Sequence, residues 1–186
     1  MLFENKTRSD NRPKSYIESD WAYLDRSGRA TAQRVRDFLN YWITVYPESE
    51  RRDLISRITS RDSKNFQSAT FELILFAVLK SLGCNVETHP ELENGSAKHP
   101  DFLVVTPAGE SLYVEAVLAS EYSEAEISAQ KRTDVVLNSI NKIDSPNFFV
   151  GVKVEGHPER PPNGRELRKK LTQWLSTLDP DTVALD

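Results

Sequence analysis

The chain of 186 residues is long enough to bury one hydrophobic core with a small helical attachment beside it. Its composition, 38% apolar and 28% charged, is typical of a globular protein, and no segment approaches the roughly 20 apolar residues of a membrane helix. The single cysteine, Cys84, excludes internal disulfides and a cysteine-rich zinc site. We therefore expect a cytoplasmic protein without a membrane partner.

The charge distribution is more informative than the net charge of −4. From Gln67 to Gln130 only two lysines oppose ten acids, whereas both flanking segments are mildly basic. An acidic centre between basic segments is typical of a site that holds divalent cations while its surroundings contact phosphates. Solvated surface acids give the same distribution, and both interpretations stay open. The three histidines are far apart in the sequence, so a histidine cluster that binds a metal is not expected.

Residues 1–25 are mostly polar and are predicted to form a loosely held arm. The apolar spacing after them predicts three helices, over residues 31–46, 48–60 and 66–82. The third helix is apolar nearly all round and should be buried. The following pattern predicts three strands, over residues 85–92, 101–106 and 112–118. A helix over 123–143, a fourth strand over 148–154 and a closing helix over 165–178 follow. Short turns make the first three strands an antiparallel meander. The long helix before the fourth strand suits a parallel crossover, which gives a mixed sheet flanked by helices.

Three acids fall at informative places in this α/β arrangement: Glu72 within the buried helix, Asp101 at the start of the second strand, and Glu115 within the third. An unpaired carboxylate is costly to bury in such apolar surroundings. Asp101 and Glu115 on antiparallel neighbours can face each other, and a divalent cation relieves the repulsion between them. The alternative interpretations are a turn residue for Asp101 and buried salt-bridge partners for Glu115 and Glu72.

Pro100-Asp101-Phe102-Leu103-Val104, Tyr113-Val114-Glu115-Ala116-Val117 and the helical Glu72 together resemble the motifs of the PD-(D/E)xK nuclease superfamily, as in a bacterial branch without the motif lysine. The resemblance implies a restriction-endonuclease-like core, with the order α-β-β-β-α-β and a mixed four-stranded sheet. The resemblance covers a core over residues 66–178. A polar arm and helical N-terminal extension over 1–65 precedes it, and the tail over 179–186 reads like the opening of a further strand. The resemblance also implies that Glu72, Asp101 and Glu115 bind Mg²⁺, with Mn²⁺ as the substitute.

The sequence departs from that family at the lysine two residues after the second acid, where Val117 stands. A valine can neither position a water nor offset negative charge. Another cation is needed for catalysis, and Lys131 is the first candidate, ahead of Lys153 and Lys98. Three hypotheses stay open. The chain is a Mg²⁺-dependent DNA endonuclease of a restriction or repair system, with DNA favoured over RNA. It is a catalytically inactive module that binds nucleic acid or assembles as a homodimer or larger complex. Or it is a protein-interaction domain that works through its N-terminal helices.

Overall fold

A computed structural model describes residues 1–92, 99–119, 123–156, 158–160 and 162–182. In these residues it contains six α-helices and a three-stranded antiparallel sheet, so the fold class is α/β. The chain divides into two compact units. The first comprises Met1–Lys14 and Glu18–Ala119, and the second comprises Ser15–Ile17 and Ser120–Asp186. No helix within the described part is long and apolar enough to cross a membrane.

The first unit has four helices: α1 Asp20–Arg26, α2 Ala30–Val45, α3 Glu48–Ile58 and α4 Ser63–Ser81. The three helices predicted from apolar spacing are α2, α3 and α4, and all three are confirmed. α4 begins three residues before the predicted start because Asp62 caps it: its carboxylate accepts hydrogen bonds from the amides of Lys64 and Asn65. The short helix α1 was not predicted; Ser19 caps it by accepting a hydrogen bond from the amide of Ala22.

The core of this unit lies between α2, α3, α4 and one face of the sheet. Leu54, Ile58, Leu73 and Phe76 are almost inaccessible to solvent, and Phe76 contacts Phe102 of the sheet with ring centroids 6.2 Å apart. The prediction that α4 is buried all round is wrong for its outward side. There the apolar side chains are substantially exposed, namely Phe71, Ile74 and Val78, with Leu82 at the C-cap.

The sheet consists of β1 Asn85–Thr88, β2 Phe102–Val105 and β3 Ser111–Val114 in the order β1-β2-β3, so the predicted antiparallel meander is confirmed. The strands are shorter than the sequence pattern predicted. Side chains alternate between faces: Phe102 and Val104 point into the core and are buried, whereas Leu103 and Val105 are only partly covered. Asp101 precedes Phe102 and therefore belongs to the partly covered face.

The N-terminal arm is not loosely held, contrary to the sequence-based expectation. Phe3 is buried and stacks on Trp21 with ring centroids 4.2 Å apart, and the side chain of Asn40 forms hydrogen bonds with its amide and carbonyl groups. The apolar residues Leu2 and Phe3 hold the arm to the core. The prediction was wrong because it rested on the polar residues that follow them.

Ionic contacts fasten the next part of the arm to the residues around α1. The Arg8 guanidinium binds the Asp25 carboxylate at 2.9 Å, and the Lys6 ammonium binds it at 3.1 Å. Burial raises the pKa of Asp25, but the hydrogen bonds from Arg8 and Lys6 outweigh this effect, so its net pKa is lowered. A Cβ at Gly28 would lie 2.5 Å from the Arg8 carbonyl oxygen, so the close crossing of the two segments requires glycine there.

The second unit contains α5 Glu124–Ile140 and α6 Gly164–Leu175, which pack against each other. Ser123 and Glu126 form a capping box at the start of α5. The fourth strand expected over residues 148–154 is not formed: these residues have no strand structure, and Phe149, Val152 and Val154 are exposed. A strand is stable only when it pairs with a neighbour, and this segment has no strand partner among the described residues. The mixed four-stranded sheet is therefore not observed.

Candidate functional site

Asp101 and Glu115 lie just beyond the paired residues of β2 and β3. Phe102 and Val114 are Cα partners in that ladder, and Asp101 and Glu115 are the next residue outward on each chain. Continuing the register by one residue places them opposite each other on the partly covered face of the sheet. Glu115 lies just beyond β3 and is exposed, and its carboxylate has no hydrogen bond or ion pair with any described residue.

Asp101 is held in place by the backbone. Its Oδ2 accepts a hydrogen bond of 2.6 Å from the amide of Ala116, next to Glu115. Its own carbonyl accepts one of 3.0 Å from the amide of His89, the residue that follows β1. The side chain is 23% exposed, so one carboxylate oxygen is fixed while the carboxylate can still be reached from solvent.

His89 is the residue that the sequence interpretation missed. Its Nε2 lies 4.0 Å from Oδ1 of Asp101, and its Nδ1 lies 3.4 Å from Oε2 of Glu50 in the first turn of α3. The imidazole thus lies between two carboxylates. His89 also has a φ of 45°, an uncommon value for a residue with a side chain. The only signal in the sequence was the dipeptide His89-Pro90, which predicts extended backbone and not the left-handed conformation found.

The second histidine, His99, contacts the residue that follows His89. Nδ1 of His99 lies 2.9 Å from the carbonyl oxygen of Pro90, a hydrogen bond in which the imidazole N–H is the donor. Pro90 follows His89, and His99 is two residues before Asp101. The contact therefore fastens together the two chain segments that carry His89 and Asp101.

Glu72 does not join the other two acids. It is buried, and each of its carboxylate oxygens is bound by a protein group: Oε1 by the hydroxyl of Tyr46 at 2.6 Å and Oε2 by Arg57 Nη2 at 2.8 Å. Burial and the hydrogen bond to Glu72 raise the pKa of Tyr46 far above its usual value, so the hydroxyl remains a donor. Burial lowers the pKa of Arg57, but Glu72 outweighs it and the net pKa is raised. These contacts match the salt-bridge alternative for Glu72.

Two of the lysines named as replacements for the missing one lie in another part of the chain from the two strand acids. Lys131 is an exposed residue of α5 in the second unit, and Lys153, in the same unit, forms an exposed ion pair of 2.6 Å with Glu155. Lys98 lies outside the described residues. Val117, at the lysine position, is exposed. Among the residues that the structure describes, no lysine forms an ion pair with Asp101 or Glu115.

The cluster fits a divalent cation in its chemistry but is not assembled around one. Asp101 and Glu115 offer hard oxygen ligands, and His89 adds a nitrogen. Within the described ranges, however, no three His, Cys, Asp or Glu side chains are close enough together to hold a metal. A cation would require the exposed Glu115 side chain to turn toward Asp101. Comparisons of the chain with protein-family models, curated proteins and solved structures found no match.

Proposed function

We propose that this chain is a metal-dependent DNA endonuclease of the PD-(D/E)xK type, with Asp101 and Glu115 as the acids that bind Mg²⁺. The observation that supports this most strongly is the antiparallel register of β2 and β3, in which Asp101 and Glu115 are the residues next to the Cα partners Phe102 and Val114. Two acids so placed repel each other unless a cation is shared. Neither is buried in a salt bridge with a lysine or arginine of the described chain.

Asp101 and Glu115 have different surroundings and therefore different roles in binding the ion. The amide of Ala116 fixes Oδ2 of Asp101, and Oδ1 lies 4.0 Å from Nε2 of His89. Glu115 is free to approach because it has no competing contact among the described residues. Asp101 and Glu115 would hold the Mg²⁺ ion, which would supply Lewis acidity toward the phosphate and would activate a water for attack.

Cleavage of supercoiled plasmid in the presence of Mg²⁺ or Mn²⁺ tests the proposal. We expect metal-dependent nicking that falls about 100-fold or more in Asp101→Asn and in Glu115→Gln. The matched control is Glu110→Gln, which changes an exposed acid in the turn between β2 and β3 and should cleave like the parent chain. Retained cleavage in both site variants would exclude this site.

The polar face of α6 supports nucleic acid as the partner. Arg165, Arg168 and Lys169 recur at helical spacing on one side of the helix and have no acidic partner among the described residues, whereas Lys170 is paired with Glu166 at 2.9 Å. Three unpaired cations on one helix face suit successive phosphates. Binding of duplex DNA should weaken when these three are changed to alanine and should be nearly unaffected by Lys170→Ala.

A second candidate function is assembly of the chain with a second copy of itself, without catalysis. The exposed apolar side of α4 and the adjoining face of α2 favour it, together with Val117 at the lysine position. The members on α4 are Phe71, Ile74 and Val78, with Leu82 at its C-cap, and those on α2 are Val35 and Phe38; their exposed fractions lie between 36% and 65%.

The size of this surface is at the lower limit for a specific dimer. At roughly 150–250 Å² per large side chain, it presents roughly 500 Å² per copy. A symmetric pair would then bury roughly 1,000 Å², the lower limit for a specific interface. Sedimentation velocity of the full chain and of Val78→Lys tests this function. A concentration-dependent dimer that the substitution abolishes supports it, and a monomer at every concentration contradicts it.

A further inference from the structure

β3 forms an edge of the sheet, since β2 is the one strand that it pairs with among the described residues. The carbonyl of Glu110 and the amide of Ala116, on either side of β3, form hydrogen bonds of 2.8 and 2.6 Å with groups on the β2 side. Backbone groups alternate in direction along an antiparallel strand, so those of Ser111 and Tyr113 point away from β2. They have no hydrogen-bond partner in the part of the chain that the structure describes.

The edge of β3 lacks the features that normally prevent another strand from adding to a sheet. Such edges are usually protected by lysine, proline or a bulge. Residues 111–118 contain no lysine, proline or glycine, and their one charge is on Glu115. Leu112 is 44% exposed and Tyr113 is 54% exposed. The opposite edge differs, because the side chains that β1 exposes are polar. The β3 edge is therefore the one suited to pairing with a further strand.

The sequence of β3 is complementary to itself in an antiparallel pairing. When two copies pair around Tyr113, the two Tyr113 rings form a cross-strand pair, which is a favourable contact. Leu112 then lies opposite Val114 of the second copy, and these two residues belong to the face of the sheet that packs on the core. Ser111 lies opposite Glu115 of the second copy, so its hydroxyl can donate to the carboxylate. The strand charges therefore avoid each other.

We propose that β3 pairs with β3 of a second copy of this chain, so that two three-stranded sheets join into one sheet around a two-fold axis at Tyr113. The pairing adds about six backbone hydrogen bonds and covers the exposed parts of Leu112 and Tyr113. Its buried area stays below about 1,200 Å², which is typical of weak association, so we expect a dimer at micromolar concentrations. The proposal does not depend on the nuclease, and its surface differs from the exposed side of α4.

Exchange of charge at position 113 tests the pairing. Tyr113→Lys and Tyr113→Glu are made in the full chain with Val78→Lys, which removes association through the exposed side of α4. Each variant alone should self-associate about tenfold more weakly than the Val78→Lys chain, measured by sedimentation velocity, because like charges face each other across the axis. An equimolar mixture of the two should associate again, since opposite charges then face each other. The matched control is Tyr16→Lys, at a tyrosine that is 52% exposed outside the sheet, and it should associate like the Val78→Lys chain.

Hydrogen exchange of the Val78→Lys chain gives a second measurement that needs no change in β3. In dilute solution the amide of Tyr113 should exchange faster than those of Leu112 and Val114, whose backbone faces β2. At concentrations where the dimer forms, exchange at Tyr113 should slow about tenfold, whereas exchange in α4 should not change.

The outcomes separate self-pairing of β3 from the other possibilities. A monomer at every concentration overturns the proposal and leaves the edge to a different protein. Equal association of Tyr113→Lys and the Val78→Lys chain also overturns it, because the contact then lies elsewhere. Stronger association of Tyr113→Lys alone overturns the register, since position 113 would then face Glu115 of the second copy. Recovery in the mixture supports the proposal, and the exchange measurement decides the question even if a variant does not fold.

Discussion

Glu72→Gln distinguishes a structural carboxylate from a metal ligand. The substitution removes the negative charge that Arg57 Nη2 approaches at 2.8 Å, while the Tyr46 hydroxyl can still donate to the amide oxygen. A hydrogen bond to a charged group contributes about 1.5–3 kcal/mol. The Arg57 side chain is 29% exposed, so solvent screening keeps the loss near the lower end, and we expect the free energy of unfolding to fall by about 2 kcal/mol.

Urea denaturation followed by tryptophan fluorescence measures this loss in the first unit. Trp21 and Trp42 belong to that unit and Trp174 to the second, so a Trp174→Phe background makes the signal specific to the first. Mn²⁺ affinity should be unchanged in Glu72→Gln. An unchanged unfolding midpoint combined with a tenfold weaker Mn²⁺ affinity would refute the structural interpretation and restore Glu72 to the metal site.

Three further predictions concern the arm and the surface of the molecule. Phe3→Ala should lower the stability of the first unit by about 3 kcal/mol and open the arm to limited proteolysis, because it removes a buried ring stacked on Trp21. Because the pKa of Asp25 is lowered in the folded state, its stabilising contribution is present above its unfolded value of about 4 and is lost as the pH falls through the folded value. Asp25→Asn should remove that part of the acid dependence of stability in urea titrations between pH 5 and pH 2. Replacing the three unpaired cations of α6 with alanine should reduce the salt slope of duplex binding by about 2 to 3, measured by fluorescence anisotropy.

Sequence patterns over a few turns or strands were sufficient to predict the helices of the first unit and the three-stranded meander, because neighbours in the sequence stabilise these elements. The helical spacing of apolar residues located α2, α3 and α4, and the turn residues located the three-stranded meander. The segment 148–154 has a similar apolar composition, yet it forms no strand, because a strand depends on a neighbour that composition does not reveal. The arm shows the same limitation. Its many polar residues predicted a loose segment, but burial of the Phe3 ring is sufficient to hold the arm in place.

The candidate site was predictable only in part, since its residues come from four places in the chain. Asp101 and Glu115 could be placed opposite each other because antiparallel register is a local consequence of the turn between β2 and β3. His89 could not be found this way, because its position depends on a left-handed residue before a proline. Glu50 lies in the first turn of α3, far from the sheet in sequence. Only the packing of the first unit brings it near.

The contrast between Glu72 and Asp101 gives a criterion that the motif alone does not. Both are acids in apolar segments, and both needed a partner on energetic grounds. Glu72 has both oxygens engaged, one by a phenol and one by a guanidinium, so a metal would have to displace a buried ion pair before it could bind. Asp101 has one oxygen engaged by a backbone amide, and its other oxygen faces an imidazole 4.0 Å away. An amide bond positions a carboxylate without neutralising it. The charge of Glu72 is neutralised by Arg57, whereas the charge of Asp101 is not neutralised by its amide partner. We therefore expect a cation at the end of the strand and not in the helix.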